Sequence, residues 1–383
     1  MPWKECSTVT LRREFLSLTD GAGVNFSELC RRFDISRKTG YKWRERYREK
    51  GEEGLADRSR RPKHSPRQSL PEIEAKVLAI RDEYGWGARK IKACIERAGD
   101  EKVAKSTVHS ILLRERRVNN APEKTVGAYQ RFEKERPNQL WQMDFKGHYP
   151  LGNNERCHPL TVLDDHSRYS LCLQACRNER TLTVKEHLTA AFRRYGLPER
   201  MLMDNGAPWG NDPVHRFTPL TVWLLRLGIA VSHGRPYHPQ TQGKEERFHR
   251  TLKVEVLAQR VFADFERMQD RFDEWRHCYN HIRPHEALEM DVPASRFAPS
   301  LRTFPEQLPP IEYDLCDKVR KVQDHGRIMF HGHVFRIGKA FRGYPVALRP
   351  STKDGIYDVY FATHRIAQVD LHRPGTRHAL DNE

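Results

Sequence analysis

The 383-residue chain has no run of ~18 apolar residues, the length needed to cross a bilayer as a helix, and no secretory leader pattern. A soluble intracellular protein without membrane contact is therefore the expectation. Cysteine is sparse, with eight in all, and none forms a Cys-x-x-Cys pair. Cys172 and Cys176 stand four apart on a predicted strand with no matched histidine pair, so zinc is not expected and buried free thiols are. The hydrophobic fraction, 38%, is low, which leaves room for large polar surfaces on folded domains. Acidic residues are outnumbered too. Of a net charge of +16, residues 1–139 carry +11, with 32 Lys and Arg against 21 Asp and Glu. A basic excess gathered at one end suits a segment that tracks a polyanion, although basic surfaces also serve solubility alone.

The most informative stretch runs from Tyr237 through His-Pro-Gln-Thr-Gln-Gly-Lys-Glu-Glu to Lys253. It opens as a turn and becomes helical. Glu246, Arg250 and Lys253 share one helix face, whereas Phe248, Leu252 and Val256 share another and can pack on a core. Glu245 lies nearer the apolar side, which makes Glu246 the better candidate for outward chemistry. Alone, a carboxylate on a basic helix is ordinarily part of a solvated ion-pair face. Two further acids change that reading. Asp144 lies in Leu-Trp-Gln-Met-Asp-Phe-Lys, an alternating strand pattern, and Asp204 closes the apolar run Met-Leu-Met before Asn-Gly. Carboxylates at strand ends and a helix start can hold divalent cations, which favour oxygen ligands.

These motifs resemble the signature of the retroviral-integrase-like DDE transposases. The segment from Tyr279 through Asn-His-Ile-Arg-Pro to His285, followed by Leu288, is similar to the one closing that domain in bacterial insertion-sequence transposases. Here 41 residues separate Asp204 from Glu246, more than is usual in the family, and the excess is expected between Trp209 and Leu220. The resemblance implies a ribonuclease-H-like α/β catalytic domain over 140–290, with the Asp144 and Asp204 strands adjacent. It implies that Asp144, Asp204 and Glu246 hold two Mg²⁺, with Mn²⁺ as a substitute. It also implies metal-dependent cleavage of double-stranded DNA at element terminal repeats, then joining of the freed 3′-OH to target DNA by a homo-oligomer in the bacterial cytoplasm at the nucleoid. Asp164, Asp165, Glu245 and Glu255 are weaker competitors as ligands, since turns and helix faces carry acids for ordinary reasons. His148, His233 and His238 read as structural. Tyr237, Gln242, Arg250 and Lys253 are candidates for the phosphodiester backbone.

The remainder supports a multidomain chain. Residues 1–50 read as three helices, with Asn25 and Ser36 as caps and Tyr41, Trp43 and Tyr47 marking the third. This resembles a helix-turn-helix unit whose third helix offers Arg37, Lys38, Thr39, Lys42 and Arg46 to DNA. Residues 51–70 read as a basic linker, with Arg58, Arg60 and Arg61 available to phosphates. Residues 71–117 look like a second helix-turn-helix, with Ser106 as a cap and Lys105, Thr107 and His109 outward. Connectors are expected at 118–139 and 291–319. Short strands over 320–383, with a hairpin turn at Asp354-Gly355, suggest a small SH3-like β-barrel. Two other functions fit the same parts: a catalytically silent DNA-binding regulator and a simple metal-dependent nuclease.

Overall fold

The structure is a computed structural model that describes residues 7–21, 23–58, 68–99, 102–118, 133–210, 217–234 and 243–373. It divides into two units, 1–69 and 70–383.

In the first unit, helices α1 (Thr8–Thr19), α2 (Phe26–Arg32) and α3 (Arg37–Lys50) begin where side chains can satisfy open backbone N–H groups. Asn25 accepts from Ser27 and Glu28, and Ser36 accepts from Thr39. At Gly40 α3 comes close to its neighbours: a Cβ there would stand 2.8 Å from Cys30 Sγ and 3.0 Å from the Phe15 ring. Trp43 is buried, but Tyr41 and Tyr47 are exposed, because three helices this short enclose one aromatic from α3. The expected linker starts late. Residues Gly51–Leu55 form a 3₁₀ turn that buries Leu55 in the core, and the Arg12 guanidinium donates to Leu55 O (2.7 Å) and Asp57 (2.8 Å).

The second unit opens with α4 (Pro71–Tyr84), α5 (Ala88–Arg97) and α6 (Lys105–Arg114). Their core holds Val77, Trp86, Ile91, Ile95, Val108, Ile111 and Leu112. Helix α6 starts two residues earlier than expected, with Ala104 rather than Ser106 at the cap position. This bundle is seated on the domain that holds the central sheet. Arg97 donates to Ile282 O (3.2 Å) and Met290 O (2.7 Å), and Cys278 packs against its core.

The central sheet contains β1 (Trp141–Phe145), β2 (Tyr149–Pro150), β3 (Arg156–Asp164), β4 (Ser170–Cys176), β5 (Arg200–Met203) and β6 (Ala230–His233). Strand β3 pairs antiparallel with both β4 and β1, and its first residues pair with β2. Then β1, β5 and β6 run parallel. Crossovers through α7 (Thr181–Tyr195) and α8 (Pro219–Arg226) allow this, as parallel neighbours require. This strand order is the ribonuclease-H-like arrangement expected from the sequence. One face carries α7 and α8 over Trp141, Met143, Met201 and Met203. The other face carries α9 (Gly243–Leu252) and α10 (Phe265–His281) over Leu163 and Leu173.

The Pro-rich segment after α10 is a packed strap rather than a loose connector. Phe297 stacks on Tyr169 at 4.3 Å, and Phe304 and Leu308 lie on the core. Arg302 donates to Pro198 O, Leu227 O and Gly228 O at 2.6–3.0 Å. Gly196 meets the strap with φ +77°, where a Cβ would fall 2.6 Å from Ser300 O.

At the C-terminal end β7 (Lys318–Lys321), β10 (Pro345–Pro350), β11 (Ile356–Phe361) and β12 (His364–Asp370) form one antiparallel sheet, and β8 (Arg327–Phe330) and β9 (His333–Arg336) form a separate hairpin. The expected barrel is therefore not a closed ladder among the described residues. A turn at Asp324–Gly326 takes the chain out of register after β7, so β8 pairs only with β9. Both sheets still share a core of Ile328, Phe330, Phe335, Val346, Leu348, Val359 and Phe361, and Val222 and Leu225 of α8 join it.

Hydrogen bonds from a cation to carbonyls are the stronger class, and here one guanidinium serves three. Arg302→Ala is expected to cost about 2–4 kcal/mol of stability, read by urea unfolding of the full chain.

Candidate active site

Strand pairing creates the site. Trp141 lies opposite Met201, and Gln142 opposite Leu202. Carrying the register on two residues brings Asp144 level with position 204. Side chains at paired positions of parallel strands share a face. Trp141, Met143, Met201 and Met203 enter the core, so Asp144 and Asp204 both take the opposite face, at the carboxyl ends of their strands. That end of an open α/β sheet is where ligands usually bind.

Both carboxyls are harder to ionise than a free carboxylate. Burial, and next the charge of Asp204, push Asp144 up to about 7, and the Phe145 N–H bond to its Oδ1 (2.8 Å) only partly offsets this. Burial also raises Asp204, while N–H donation from Gly206 (2.9 Å) and the charge of His233 oppose it. Two half-buried carboxyls that resist ionising side by side form a hard, all-oxygen donor pair suited to a divalent cation.

Helix α9 closes the same face and is pinned through its first turn. Lys244 pairs with the buried carboxylate of Asp165, which also accepts from Gln142 Nε2 (2.7 Å) and Lys134 N (2.9 Å). Glu245 is fully buried, with Oε2 3.1 Å from Thr161 Oγ1. Phe248, Leu252 and Val256 are buried as expected, and each such side chain contributes about 1.5–3 kcal/mol. Helix geometry then turns Glu246, Arg250 and Lys253 outward, and all three are exposed. At Lys253–Leu257 the helix widens into a π-turn, closed by Ala258 N on Lys253 O (2.7 Å).

The structure thus joins Asp144 with Asp204 and leaves Glu246 on the solvent side of α9. Among the described residues no three His, Cys, Asp or Glu side chains stand close enough to hold an ion. The competing acids have other partners. Asp164 accepts from Asn138 N (2.8 Å) and Ser167, and Glu255 accepts from Trp275 Nε1 (2.9 Å) and Arg283 (3.0 Å).

Sequence reading passed over His249 and Thr161. His249 is buried beside Asp144, its Nδ1 3.8 Å from Asp144 Oδ2, and burial lowers its pKa to about 3, so it stays neutral. The available signal was polar residues, Glu245 and His249, at i and i+4 inside the apolar stripe of α9.

Of the proposed DNA contacts, Arg37, Lys38, Lys42, Arg58, Lys105 and His109 are exposed. Thr39, Arg46 and Thr107 are half-buried; Thr39 is engaged by the Ser36 cap, and Arg46 lies over the Trp43 ring at 4.9 Å. Arg60, Arg61, Tyr237 and Gln242 lie outside the described residues.

Comparison with known proteins bears on each part. The integrase core domain family matches residues 134–239 and 227–293. A helix-turn-helix domain matches 11–63 and a homeodomain-like domain 39–112. The C-terminal domain of the IS481 family transposases matches 317–376. Successive segments of the chain are thus similar to helix-turn-helix domains, the integrase core domain and the C-terminal domain of IS481 family transposases.

It is 29% identical over 167 residues to the uncharacterized 39.2 kDa protein of insertion element IS476 from Xanthomonas euvesicatoria, covering 44% of this chain and 46% of that one. It is 27% identical over 245 residues to the uncharacterized 31.7 kDa protein of insertion element IS407 from Burkholderia multivorans, covering 60% and 83%. The chain thus spans about half the first relative's length. Among solved structures, an intasome of simian T-cell lymphotropic virus in complex with a PP2A regulatory subunit aligns with TM-score 0.38 and 16% identity, over 74% of this chain and 95% of that one. No helix among the described residues is long and apolar enough to cross a membrane.

The raised pKa of Asp144 makes its ionisation costly in the folded, cation-free protein. The cost is absent below the unfolded value near 4 and grows to its full size as pH passes 7, at most about 4 kcal/mol. Asp144→Asn is therefore expected to raise the melting temperature of the chelator-treated protein at pH 8 and to leave it unchanged at pH 4, in paired thermal scans.

Proposed function

We propose that this chain is a transposase that cuts DNA at the ends of an insertion sequence and joins the freed 3′-OH ends to target DNA. The observation that carries the reading is Asp144 and Asp204 level on adjacent parallel strands, each carboxyl resisting ionisation beside the other. Asp144, Asp204 and Glu246 would hold two Mg²⁺, which Mn²⁺ replaces. When bound, such ions supply charge neutralisation to the attacking and leaving oxygens of an in-line displacement.

The chain's own groups do the rest. Its carboxylates set where the scissile phosphate sits. Neutral His249 borders Asp144 without adding a charge, and buried Phe248 and Leu252 keep water from beneath the site. Exposed Arg250 and Lys253 lie on the face of Glu246 and engage the phosphodiester backbone, as do Tyr237 and Gln242. Glu246, exposed on α9, would complete the site through movement of its own side chain when DNA engages. The two displacements need no covalent protein intermediate: water oxygen replaces the 3′ oxygen at phosphorus, and that 3′-OH then attacks a target phosphodiester.

Both helix-turn-helix bundles would read the terminal repeats, the first through Arg37, Lys38, Thr39, Lys42 and Arg46 with Arg58, Arg60 and Arg61, the second through Lys105, Thr107 and His109. Linked readers gain effective concentration on a long site. Pairing two ends calls for a homo-oligomer on DNA, working at the bacterial nucleoid.

The test is incubation with processed element ends and Mg²⁺. Joined products support transposition, cleavage alone supports a simple nuclease, and binding without either supports a silent regulator. Asp144→Asn is expected to keep end binding within about threefold and to lower cleavage by at least about a thousandfold; equal activity would remove Asp144 from the mechanism.

A further inference from the structure

We propose that Glu245 is a positioning residue: through Thr161 and His249 it locks helix α9 to the strand position facing Asp144 and so sets the geometry of the acidic site. The inference rests on the reading of Asp144 as a catalytic acid.

Glu245 is 0% exposed, and its Oε1 has no hydrogen-bond partner among the described residues. A buried carboxyl with an unmet oxygen costs stability, and a Leu or Val on the same stripe would avoid that cost. Its other oxygen, Oε2, reaches Thr161 Oγ1 at 3.1 Å. Thr161 is the residue directly opposite Asp144 in the antiparallel ladder of β1 and β3. The same hydroxyl lies 3.0 Å from the backbone carbonyl of Asp144 and 2.8 Å from His249 Nε2. His249, one turn along α9 from Glu245, places Nε2 3.7 Å from Glu245 Oε2 and Nδ1 3.8 Å from Asp144 Oδ2.

One hydroxyl thus gathers the Asp144 main chain and two side chains from successive turns of α9. Thr161 has a single proton and two lone pairs for three neighbours, Asp144 O, Glu245 Oε2 and His249 Nε2, so its hydroxyl is fully engaged by them. Hydrogen bonds impose direction that apolar packing lacks. With Glu245 and His249 both tied to Thr161, α9 cannot rotate or slide without moving the residue paired with Asp144. Glu246 is the next residue, so the same tie sets the direction in which it leaves the helix. A leucine at 245 would fill the space and leave the helix free to shift.

The test uses the full chain with three variants, Glu245→Leu, Glu245→Gln and Thr161→Val, beside Asp144→Asn. Each is measured for Mn²⁺ binding by calorimetry, for kcat and KM of end cleavage, and for melting temperature. Glu245→Leu is expected to keep the KM for DNA and to lower kcat and Mn²⁺ affinity by about tenfold or more, the usual scale for groups that orient a metal ligand. Glu245→Gln, which keeps two hydrogen-bonding atoms, should recover both to within about threefold of the parent. Thr161→Val removes only the hydroxyl and should reproduce the loss of kcat, which keeps the test decisive if the leucine variant does not fold. Parental kcat in Glu245→Leu or Thr161→Val overturns the proposal. So does a Glu245→Gln variant that is as inactive as Asp144→Asn and no longer binds Mn²⁺, because Glu245 would then act through its charge as a ligand. Cleavage by Asp144→Asn would instead defeat the reading of the acidic pair, whatever the Glu245 variants do.

Discussion

The parallel pairing of β1 with β5 is the constraint on which the rest of this molecule depends. It joins residues some sixty positions apart and brings two acids to one level on one face. Half-buried there, both carboxyls resist ionisation, Asp144 through burial and the charge of Asp204, and Asp204 through burial. Parallel neighbours need a crossover, so helix α7 exists partly to permit the pairing, and its apolar side covers the face that the acids do not use.

Around that pair, the chain uses polar contacts for register and apolar contacts for holding power. Helix α9 shows the division. Phe248 and Leu252 keep it on the sheet, whereas Lys244 on Asp165 and Glu245 on Thr161 decide its rotation. The same division governs the strap after α10. Phe297 and Phe304 supply burial, and Arg302, reaching three carbonyls, fixes where the strap crosses. Arg97 does likewise for the second helical bundle, so that bundle is seated on the central-sheet domain rather than hanging from a tether.

Much was legible beforehand because it is local. The caps at Asn25 and Ser36, the strand around Asp144, the helix from Gly243 and the stripe Met268, Phe272, Trp275 and Tyr279 follow from spacing and capping chemistry. Less legible were features settled between distant segments. Leu55 folds back into the first bundle, the Pro-rich strap packs, and the strands after Lys318 divide between a sheet and a hairpin. Proline and glycine announce that regular structure stops but say nothing of what the chain then touches.

The sequence by itself determined which residues can carry chemistry here: acids at two strand ends and a helix start, amid basic helices, in the order of an integrase-like transposase. It could do so because side-chain type and short-range period are written in neighbouring positions. Only the tertiary structure decided that Asp144 and Asp204 stand level on one face, and that Glu245 and His249 meet at Thr161 beside them. That outcome depends on strand register and on the rotation of one helix, which contacts between remote segments set.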